Sequence, residues 1–411
     1  MRAESLRFSR RTDSVVSFEQ APPSFAVQTN AGVRWTAGDG PATFVIRVPD
    51  KAGWDRLQRS GTYEAAVAFV RGDFDIEGDV VAALRWWYAR PGITASFVLA
   101  ALRHLHLESW LQSRGRARRN IEFHYDRSNE FYEQFLDRRL LYSCAYFTAP
   151  SVSLDEAQAA KLDLICRKLD LGPRVQFLDI GCGWGGLVLH AAERFGAIAI
   201  GCTLSARQFA YAREQAKTRG LQARVTILNA DYRELAGRFD RIASVGMYEH
   251  VGRRRLQDYF ERLSRLLNDD GLVLNHGIAR PDTVSDDDMT LFLRRHVFPG
   301  GELPYYADVV RAAERAGFEV IDVENLRPHY ALTCAAWVRR LQAHRDACLT
   351  FVDLATYRTW LLYLAGSAAS FERGDTELYQ TLLAKRRPGA PRRLTREQLL
   401  LERADPGSSA S

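Results

Sequence analysis

The sequence predicts an α/β fold of the Rossmann type, preceded by a smaller α+β domain. Three observations lead to this prediction. Apolar strand-like runs alternate with amphipathic helices over residues 153–278, a glycine-rich turn follows the first of these runs, and the first hundred residues mix strand and helix signals. Such alternation is typical of βαβ units, which arrange their strands in a parallel sheet.

The overall composition is that of a globular protein of more than one domain. The chain has 411 residues, of which 46% are hydrophobic and 26% charged, so disorder is excluded for most of its length. We expect an accessory domain over residues 1–110, a main domain over residues 120–387 and a basic to polar tail over residues 388–411. The net charge of +6 is too small for a dedicated nucleic-acid binder, so no nucleic-acid partner is expected.

Cysteine usage and hydropathy predict a cytoplasmic location. The six cysteines form no CxxC pair and are interpreted as reduced thiols. The chain begins without a secretory signal and contains no apolar run of about 18 residues, so no membrane-spanning helix is expected. The histidines contain no HExxH, which leaves a zinc site with little support.

The N-terminal elements are predicted from short apolar runs separated by turn residues. The Gly78-Asp79 pair marks a break between two helices. The arginines of residues 113–120 indicate a linker or a basic surface strip. The predicted strands are residues 25–28 and 43–48, and the predicted helices are residues 62–69 and 80–88.

The main domain begins at a capping box. Ser153 and Glu156 open a helix that Gly172-Pro173 ends. The elements predicted after it are a strand at 175–180, a helix at 187–195, a strand at 197–202, a helix at 205–219 closed by Gly220, strands at 225–228 and 239–245, a helix at 256–267 and a strand at 271–278.

The glycine turn predicts a nucleoside ligand. Gly181, Gly183 and Gly186 satisfy GxGxxG, which is compatible with a dinucleotide site. However, no acid follows about 20 residues later, where dinucleotide folds usually carry one. Asp179, inside the end of the strand, can instead orient the turn around S-adenosylmethionine. S-adenosylmethionine is therefore favoured, with a dinucleotide site and a purely structural turn left open.

Three side chains near the ends of the next strands, those of Thr203, Gln208 and Tyr232, can each be interpreted in two ways. Gln208 lies where it would close a capping box opened by Ser205, or it binds the ligand together with Thr203. Tyr232 follows the third strand at the edge where α/β sheets bind ligands, and there it either stacks on a base or packs in the core.

A series of ordered segments resembles the cyclopropane-fatty-acid synthase family, which includes the mycolic acid cyclopropane synthases. The resemblance covers about residues 120–387, and residues 69–79 are similar to the end of the extra N-terminal domain of longer bacterial members. The similar segments are HYDRS at 124–128, YSCAYF at 142–147, TLSxxQ at 203–208, DRI…GMYEH at 240–250, FPGGxLP at 298–304, HYxxTxxxW at 329–337 and LAGSAxxF at 364–371.

This resemblance implies a class I S-adenosylmethionine-dependent methyltransferase fold and a specific reaction. The family transfers the methyl group of S-adenosylmethionine to a cis double bond of an acyl chain, after which bicarbonate removes a proton and the ring closes. The implied cofactor contacts are Tyr142, Ser143, Gly181, Gly183, Thr203, Leu204, Gln208 and Tyr232, and the implied bicarbonate site is formed by Cys144, Glu249, His276, Ile278 and Tyr330.

These residue types suit the reaction. An alkene is a weak nucleophile, so the site must hold it against the methyl group without water, and aromatic faces can stabilise the cation that forms. Glu249 is suited to accept the proton of bicarbonate, while His276 and Tyr330 are suited to donate to its oxygens. Two structural readings stay open: Glu249 paired with His250 by a hydrogen bond, and Cys144 as a small buried hydrophobe.

Departures from the family pattern concern the acyl pocket. Tyr248 replaces the usual Phe, Gly277 the usual Thr, and Tyr305 a smaller residue, and we expect these changes to reshape that pocket. Three other functions remain open: a methyltransferase that makes methyl-branched or methylene chains without ring closure, a non-catalytic lipid-binding protein, and a nucleic-acid methyltransferase, which would need a stronger basic cleft.

The resemblance further implies unsaturated acyl chains of membrane phospholipids as substrate. We therefore expect reversible contact with the inner face of the cell membrane through basic strips. It also implies that the N-terminal domain serves homodimer formation or membrane docking. The strips are Arg114/Arg116/Arg118/Arg119, Arg253-Arg254-Arg255, Arg294-Arg295 and Lys385-Arg386-Arg387.

Overall fold

The computed structural model describes residues 23–90, 128–284, 288–297, 302–388 and 396–397, which form a four-stranded and a seven-stranded sheet. Several sequence interpretations lie outside the described residues: the basic segment 113–120, positions 124–127 and 298–301 of the family-like segments, and most of the tail. None of the described helices is both long enough and apolar enough to cross a bilayer.

The N-terminal unit is a small α+β domain built on the four-stranded sheet. Its strands lie in the order β2-β1-β3-β4, with β1 parallel to β3 and the other pairs antiparallel. The predicted strands and helices are confirmed, whereas β2, β4 and α1 were not predicted. The elements are β1 Phe25–Thr29, β2 Arg34–Ala37, β3 Phe44–Val48, α1 Lys51–Arg59, α2 Thr62–Arg71, β4 Asp75–Gly78 and α3 Val80–Ala89.

Helices α2 and α3 have two buried faces. Ala65 and Trp87 pack on the N-terminal sheet, whereas Phe69 and Leu84 belong to the hydrophobic core of the main domain. The N-terminal unit and the main domain therefore share apolar packing over residues 62–89.

The main domain is built around the seven-stranded sheet, in the order β10-β11-β9-β8-β5-β6-β7. Its elements are α4 Asn129–Glu133, α5 Leu154–Lys168, β5 Gln176–Ile180, α6 Gly186–Phe195, β6 Ile198–Thr203, α7 Ala206–Thr218, β7 Val225–Asn229, β8 Phe239–Val245, α8 Leu256–Leu266, β9 Leu267–Ala279, α9 Asp288–His296, α10 Tyr306–Arg315, β10 Phe318–Asn325, α11 Arg327–Ala343, α12 Arg345–Cys348, α13 Leu354–Arg373 and β11 Glu377–Lys385.

The predicted parallel sheet is confirmed from β5 to β9. β5 pairs in parallel with β6 and β8, β6 with β7, and β8 with β9. The capping box is also present, since the Ser153 side chain accepts from the Glu156 N–H and the Glu156 side chain accepts from the Ser153 N–H. At the end of α7, Gly220 adopts a φ of 66°, which allows the helix to stop there.

The sheet is not parallel throughout, because β11 pairs antiparallel with both β9 and β10. Strands β10 and β11 were not predicted, and neither were the helices after β9. β11 is buried at six of its nine positions, so it lacks the polar alternation by which a half-exposed strand is recognised. These late elements close one end of the sheet and, as described below, support one buried histidine.

Candidate active site

A cavity of about 230 Å³ opens at the carboxyl ends of β5, β6 and β8. This is the edge at which open α/β sheets bind their ligands, because the strand order reverses beside β5. All nine residues predicted to contact or orient a cofactor line it: Tyr142, Ser143, Asp179, Gly181, Gly183, Thr203, Leu204, Gln208 and Tyr232.

The glycine turn forms the floor of the cavity. Gly181 and Gly183 adopt φ values of 76° and 54°, in the left-handed region that glycine reaches without strain. A Cβ on Gly181 would lie 3.1 Å from Met247 Cγ, whereas a Cβ on Gly183 would meet nothing within 4 Å. Gly183 therefore leaves open space in the cavity wall that a ligand can approach closely.

Gln208 does not close the predicted capping box. Ser205 Oγ caps the helix by accepting from the Gln208 N–H, but the Gln208 side chain turns to the cavity. There its Oε1 accepts a hydrogen bond of 2.8 Å from the Thr203 hydroxyl, which in turn accepts from the Ser205 N–H. With its oxygen used, the Gln208 amide nitrogen is the group available to donate to a ligand.

A buried carboxyl and a buried ammonium face the same cavity. Burial raises the pKa of Asp179 to about 7, although the nearby Lys161 lowers it. Burial also lowers the pKa of Lys161 to about 8, against the opposing negative charges of Asp137 and Asp179. Lys161 Nζ donates a hydrogen bond of 2.8 Å to Ser143 Oγ. The cavity therefore contains both signs of charge, which fits the amino and carboxylate groups of an amino-acid moiety.

Tyr232 is both packed and exposed to the cavity. Its ring makes an edge contact with Tyr259 at a centroid distance of 5.8 Å and lines the cavity with its other surface. Burial raises the pKa of its hydroxyl to about 12, so the ring stays neutral. Packing in the core and stacking on a base are therefore compatible for this residue.

The five residues predicted around bicarbonate lie outside the cavity wall, close behind it. Val245 lines the cavity and pairs with His276 of β9, and the Gly246 N–H donates to the His276 carbonyl. Glu249 follows in a short 3-10 turn, and its Oε1 accepts a hydrogen bond of 2.6 Å from the Ile278 N–H. The Ile278 N–H is thus bound by Glu249 in this structure.

Two buried polar atoms of this group have no hydrogen-bond partner in the described part of the chain. They are Glu249 Oε2 and His276 Nε2. Burial raises the pKa of Glu249 to about 7, which the hydrogen bond from Ile278 opposes. Glu249 Oε1 accepts from Ile278, and the alternative of a hydrogen-bonded Glu249–His250 pair stays a prediction.

Tyr330 and Cys144 lie beside these groups. The Tyr330 ring stacks on Phe371 at 4.5 Å and meets Trp337 edge-on at 6.0 Å. Burial holds the pKa of the Cys144 thiol well above its ordinary value, and its Sγ lies 3.1 Å from the Ala145 carbonyl. The thiol is therefore not a nucleophile, which agrees with the reading as a small buried hydrophobe.

The family-like segments hold one another in place. Thr333 on α11 accepts from the Ala145 N–H at 3.0 Å and donates to the His329 carbonyl at 2.7 Å. His329 Nδ1 accepts from the Phe147 N–H at 3.0 Å. The segment that carries Tyr142, Ser143 and Cys144 is therefore fixed to α11.

The substitutions at 248 and 277 are coupled, and they lie away from His276. A Cβ on Gly277 would come within 2.4 Å of Tyr248 Cε1, so the larger ring occupies the space that a threonine side chain would need. Tyr248 packs in the core beneath α8, on the face of β9 opposite to His276. Tyr248 and Gly277 thus exchange volume within the core, while the expectation that they reshape an acyl pocket stays a prediction.

The sequence reasoning missed three polar residues that the structure brings to the site: Lys161, Lys168 and Gln380. Lys161 and Lys168 are spaced by seven on α5 and interrupt its buried apolar stripe, and each is only 1% exposed. That spacing is a signal that would have revealed them, because buried lysines need a partner. Gln380 gives no such signal.

Comparisons with known proteins point to one family. The family description "Mycolic acid cyclopropane synthetase" matches residues 112–381. A probable fatty acid methyltransferase of Pseudomonas putida is 38% identical over 367 residues, covering 86% of this chain and 90% of its own length. Cyclopropane mycolic acid synthase 3 of Mycobacterium tuberculosis is 36% identical, covering 65% of this chain and 96% of its own.

Solved structures are similar over the same region. The cyclopropane synthase MmaA2 from Mycobacterium tuberculosis superposes with a TM-score of 0.64 at 32% identity, covering 65% of this chain and 98% of its own. The mycolic acid cyclopropane synthase CmaA1, solved with SAH and CTAB, gives 0.63 at 33% identity, covering 67% of this chain and 100% of its own. Coclaurine N-methyltransferase, at 22% identity and a TM-score of 0.57, shares the fold.

Proposed function

Because the chain belongs to the mycolic acid cyclopropane synthetase family, we propose that it converts cis double bonds of phospholipid acyl chains into cyclopropane rings. As a member it is an S-adenosylmethionine-dependent methyltransferase that modifies lipids. The proposal adds the phospholipid substrate, the ring as product and bicarbonate as proton acceptor. One observation carries it: two buried polar atoms, His276 Nε2 and Glu249 Oε2, have no hydrogen-bond partner within the described ranges and lie behind the cavity wall.

The residues of the cavity fit S-adenosylmethionine. Lys161 and Asp179 offer opposite charges for the amino-acid part, and Gln208 offers an amide donor one strand away. When bound, S-adenosylmethionine supplies an electrophilic methyl group. The contribution of the chain is to orient it and to exclude water, and the glycine turn and Tyr142 line the cavity where this is needed.

The residues behind the cavity fit a small oxyanion that carries one proton. A carboxylate oxygen at Glu249 accepts a hydrogen bond, whereas an imidazole N–H at His276 donates one. Bicarbonate offers both partners, since it has one hydroxyl and two acceptor oxygens. Because the pKa of Glu249 is about 7, this carboxyl exchanges a proton readily near neutral pH.

Ring closure requires one proton to leave the transferred carbon. This requirement separates the proposal from a methyl-branched product, whereas a methylene product also loses one proton there and differs from the ring by its retained double bond. A methyltransferase that makes branched or methylene chains is the second candidate, favoured by the name of the Pseudomonas putida relative. A branching enzyme needs no general base for its first step. The buried acceptor beside the cavity supports ring closure.

We also propose reversible contact with a membrane surface, since the acyl substrate lies in a bilayer. Trp35 of the edge strand β2 and Val33, just before that strand, are exposed on either side of Arg34, a mixture that suits a headgroup layer. The strip at 385–387 supports this less than its sequence suggests, because Asp269, Asp270 and Glu314 pair with it. Sedimentation with anionic vesicles tests the contact: Trp35→Ser is expected to lower the bound fraction, and an unchanged fraction would contradict a role for β2.

Product analysis tests the main proposal. The purified full chain is incubated with S-adenosylmethionine and vesicles of a cis-monounsaturated phospholipid, with and without bicarbonate. We expect mass spectrometry to show a gain of one CH₂ per modified chain and proton NMR to show loss of the olefinic signals, both dependent on bicarbonate. A CH₂ gain with the alkene retained would support the branching enzyme, and no gain on any vesicle would contradict the phospholipid substrate.

A further inference from the structure

A row of polar side chains crosses three strands behind the proposed bicarbonate site. Gln380 of β11 is paired in register with His276 of β9 on one side and with Glu324 of β10 on the other. Lys168 reaches this row from α5. Its Nζ donates a hydrogen bond of 2.6 Å to Glu324 Oε2 and another of 2.9 Å to Gln380 Oε1. The Gln380 amide nitrogen lies 3.1 Å from His276 Nδ1.

The chemistry of these groups fixes the direction of each hydrogen bond. A lysine ammonium only donates, so the carbonyl end of the Gln380 amide must face Lys168. The NH₂ end then faces His276 and only donates, so His276 Nδ1 must accept. A neutral imidazole that accepts at Nδ1 carries its proton at Nε2.

The surroundings favour the neutral ring. Burial, with the positive charges of Lys161 and Lys168 on α5, holds the pKa of His276 well below its ordinary value. The resulting Nε2–H is buried and finds no acceptor among the residues that the structure describes. A buried N–H without an acceptor is costly, and a ligand oxygen would relieve that cost.

Gln380 is not needed for the charge balance of this row. Lys168 is already paired with Glu324 and, at 3.3 Å, with Asp322, and Arg396 contacts the same two carboxylates. An apolar side chain of similar size on β11 would leave these ion pairs intact. The amide is therefore explained by its contact with His276.

We propose that Gln380, oriented by Lys168, is a positioning residue that fixes His276 as an Nε2–H donor toward a small oxyanion. The identity of that oxyanion as bicarbonate rests on the proposed function. The tautomer itself follows from the hydrogen bonds of the row alone. The proposal thus separates a property of the protein from the substrate it serves.

Nitrogen NMR of the ligand-free full chain, labelled with ¹⁵N-histidine, tests the tautomer directly. The His276 signals are assigned by their loss in His276→Gln. We expect Nε2 to be protonated and Nδ1 to be unprotonated in the natural protein. In Gln380→Glu, a carboxylate that only accepts replaces the amide, so Nδ1 is expected to become protonated. A proton on Nδ1 in the natural protein would overturn the proposal.

Two further variants keep this test decisive. Gln380→Leu removes the amide without adding charge, and we expect the preference for Nε2–H to weaken; it also serves if Gln380→Glu does not fold. Thr381→Val is the matched control, because Thr381 is the next residue of β11, buried like Gln380, and contacts Tyr306 instead. A tautomer unchanged in both Gln380 variants, or changed in Thr381→Val, would contradict the role of Gln380.

Binding measurements connect the tautomer to the reaction. In Gln380→Glu we expect the apparent KM for bicarbonate to rise by about tenfold or more, the worth of one hydrogen bond to a charged group, while the Kd for S-adenosylmethionine stays within about twofold. If the natural protein shows no bicarbonate dependence, the proposed function fails although the NMR result stands. If the tautomer is wrong while ring formation still needs bicarbonate, only the role of Gln380 fails.

Discussion

The cofactor cavity and the buried group behind it differ in how the chain assembles them. The cavity lies on the parallel half of the sheet, and its floor is a continuous segment, residues 179–187, between β5 and α6. The buried group lies where the parallel half meets the antiparallel half, and its contacts join residues separated by 104 and 212 positions. Local motifs thus form the cofactor cavity, whereas the proposed proton acceptor site depends on the pairing of β9 with β11.

The two regions also differ in polarity. The cavity is lined by groups of both charges, Lys161 and Asp179. In the buried group, Glu249 and His276 each have one side-chain atom that is hydrogen-bonded and one that has no partner among the described residues. The difference teaches that the cavity offers room and charge to a large ligand, whereas the buried group offers two single polar atoms to a small one.

The largest expected effect separates the two regions by function. Glu249→Gln keeps the hydrogen bond from Ile278 but removes the proton acceptor. We expect ring formation to fall by about 10²–10⁴-fold, the usual contribution of a general base. Calorimetry should show an unchanged Kd for S-adenosylmethionine. Weaker cofactor binding of similar size would mean that the two regions are not separable.

The same substitution should stabilise the protein in a pH-dependent way. Burial raises the pKa of Glu249 from 4.5 to about 7, so the folded state keeps a proton that the unfolded state loses above pH 4.5. Stability therefore falls between these values, by roughly 3 kcal/mol once the pH exceeds 7. Since glutamine does not titrate, Glu249→Gln is expected to raise Tm at pH 8 and to leave it nearly unchanged at pH 4. Equal shifts at both pH values would exclude a raised pKa.

The cavity has its own test, with a matched control elsewhere in the fold. Gly183→Val places a branched side chain where a Cβ meets nothing within 4 Å in the cavity. Gly220→Val carries the same left-handed strain, at φ 66° against 54°, in a position outside the cavity wall. We expect both to lose about 1–2 kcal/mol of stability, but only Gly183→Val to weaken S-adenosylmethionine binding, by about tenfold or more. Equal affinities would place the ligand elsewhere.

The smallest expected effect lies outside both regions. Arg85 of α3 donates to Glu372 of α13 through two hydrogen bonds of 2.6 and 3.1 Å, which connect the N-terminal unit to the main domain. Removing this partly exposed pair with Arg85→Ala and Glu372→Ala should cost about 1 kcal/mol of coupling in a double-mutant cycle. Binding of S-adenosylmethionine is expected to stay unchanged. A change in its Kd would show that the N-terminal unit acts on the cavity.

The contrast between the regions also explains how far the sequence could be interpreted. The capping box at Ser153, the glycine turn at Gly181 and the helix stop at Gly220 are local signals, and they predicted the parallel half of the sheet correctly. Strands β10 and β11 gave no such signal, because β11 is buried on most of its length. Nothing local could therefore indicate that Gln380 would lie beside His276.

The two parts of the candidate site, the cavity and the buried group, could be predicted to different extents for the same reason. The cavity residues follow strand ends in order, so the motifs alone grouped Asp179 with Thr203 and Tyr232. Glu249, His276 and Tyr330 were grouped through resemblance, since no spacing relates them. The coupling of Tyr248 with Gly277 appeared only in three dimensions, where one ring fills the volume that the other position gives up.

The most direct test of the division between the two regions follows the hydrogens of the transferred carbon. S-adenosylmethionine with a fully deuterated methyl group is incubated with the full chain, bicarbonate and cis-monounsaturated phospholipid vesicles, and the product is examined by mass spectrometry and proton NMR. We expect each modified chain to retain two of the three deuterons and to lose its olefinic signals. A product that keeps all three deuterons would contradict proton removal at Glu249 and His276.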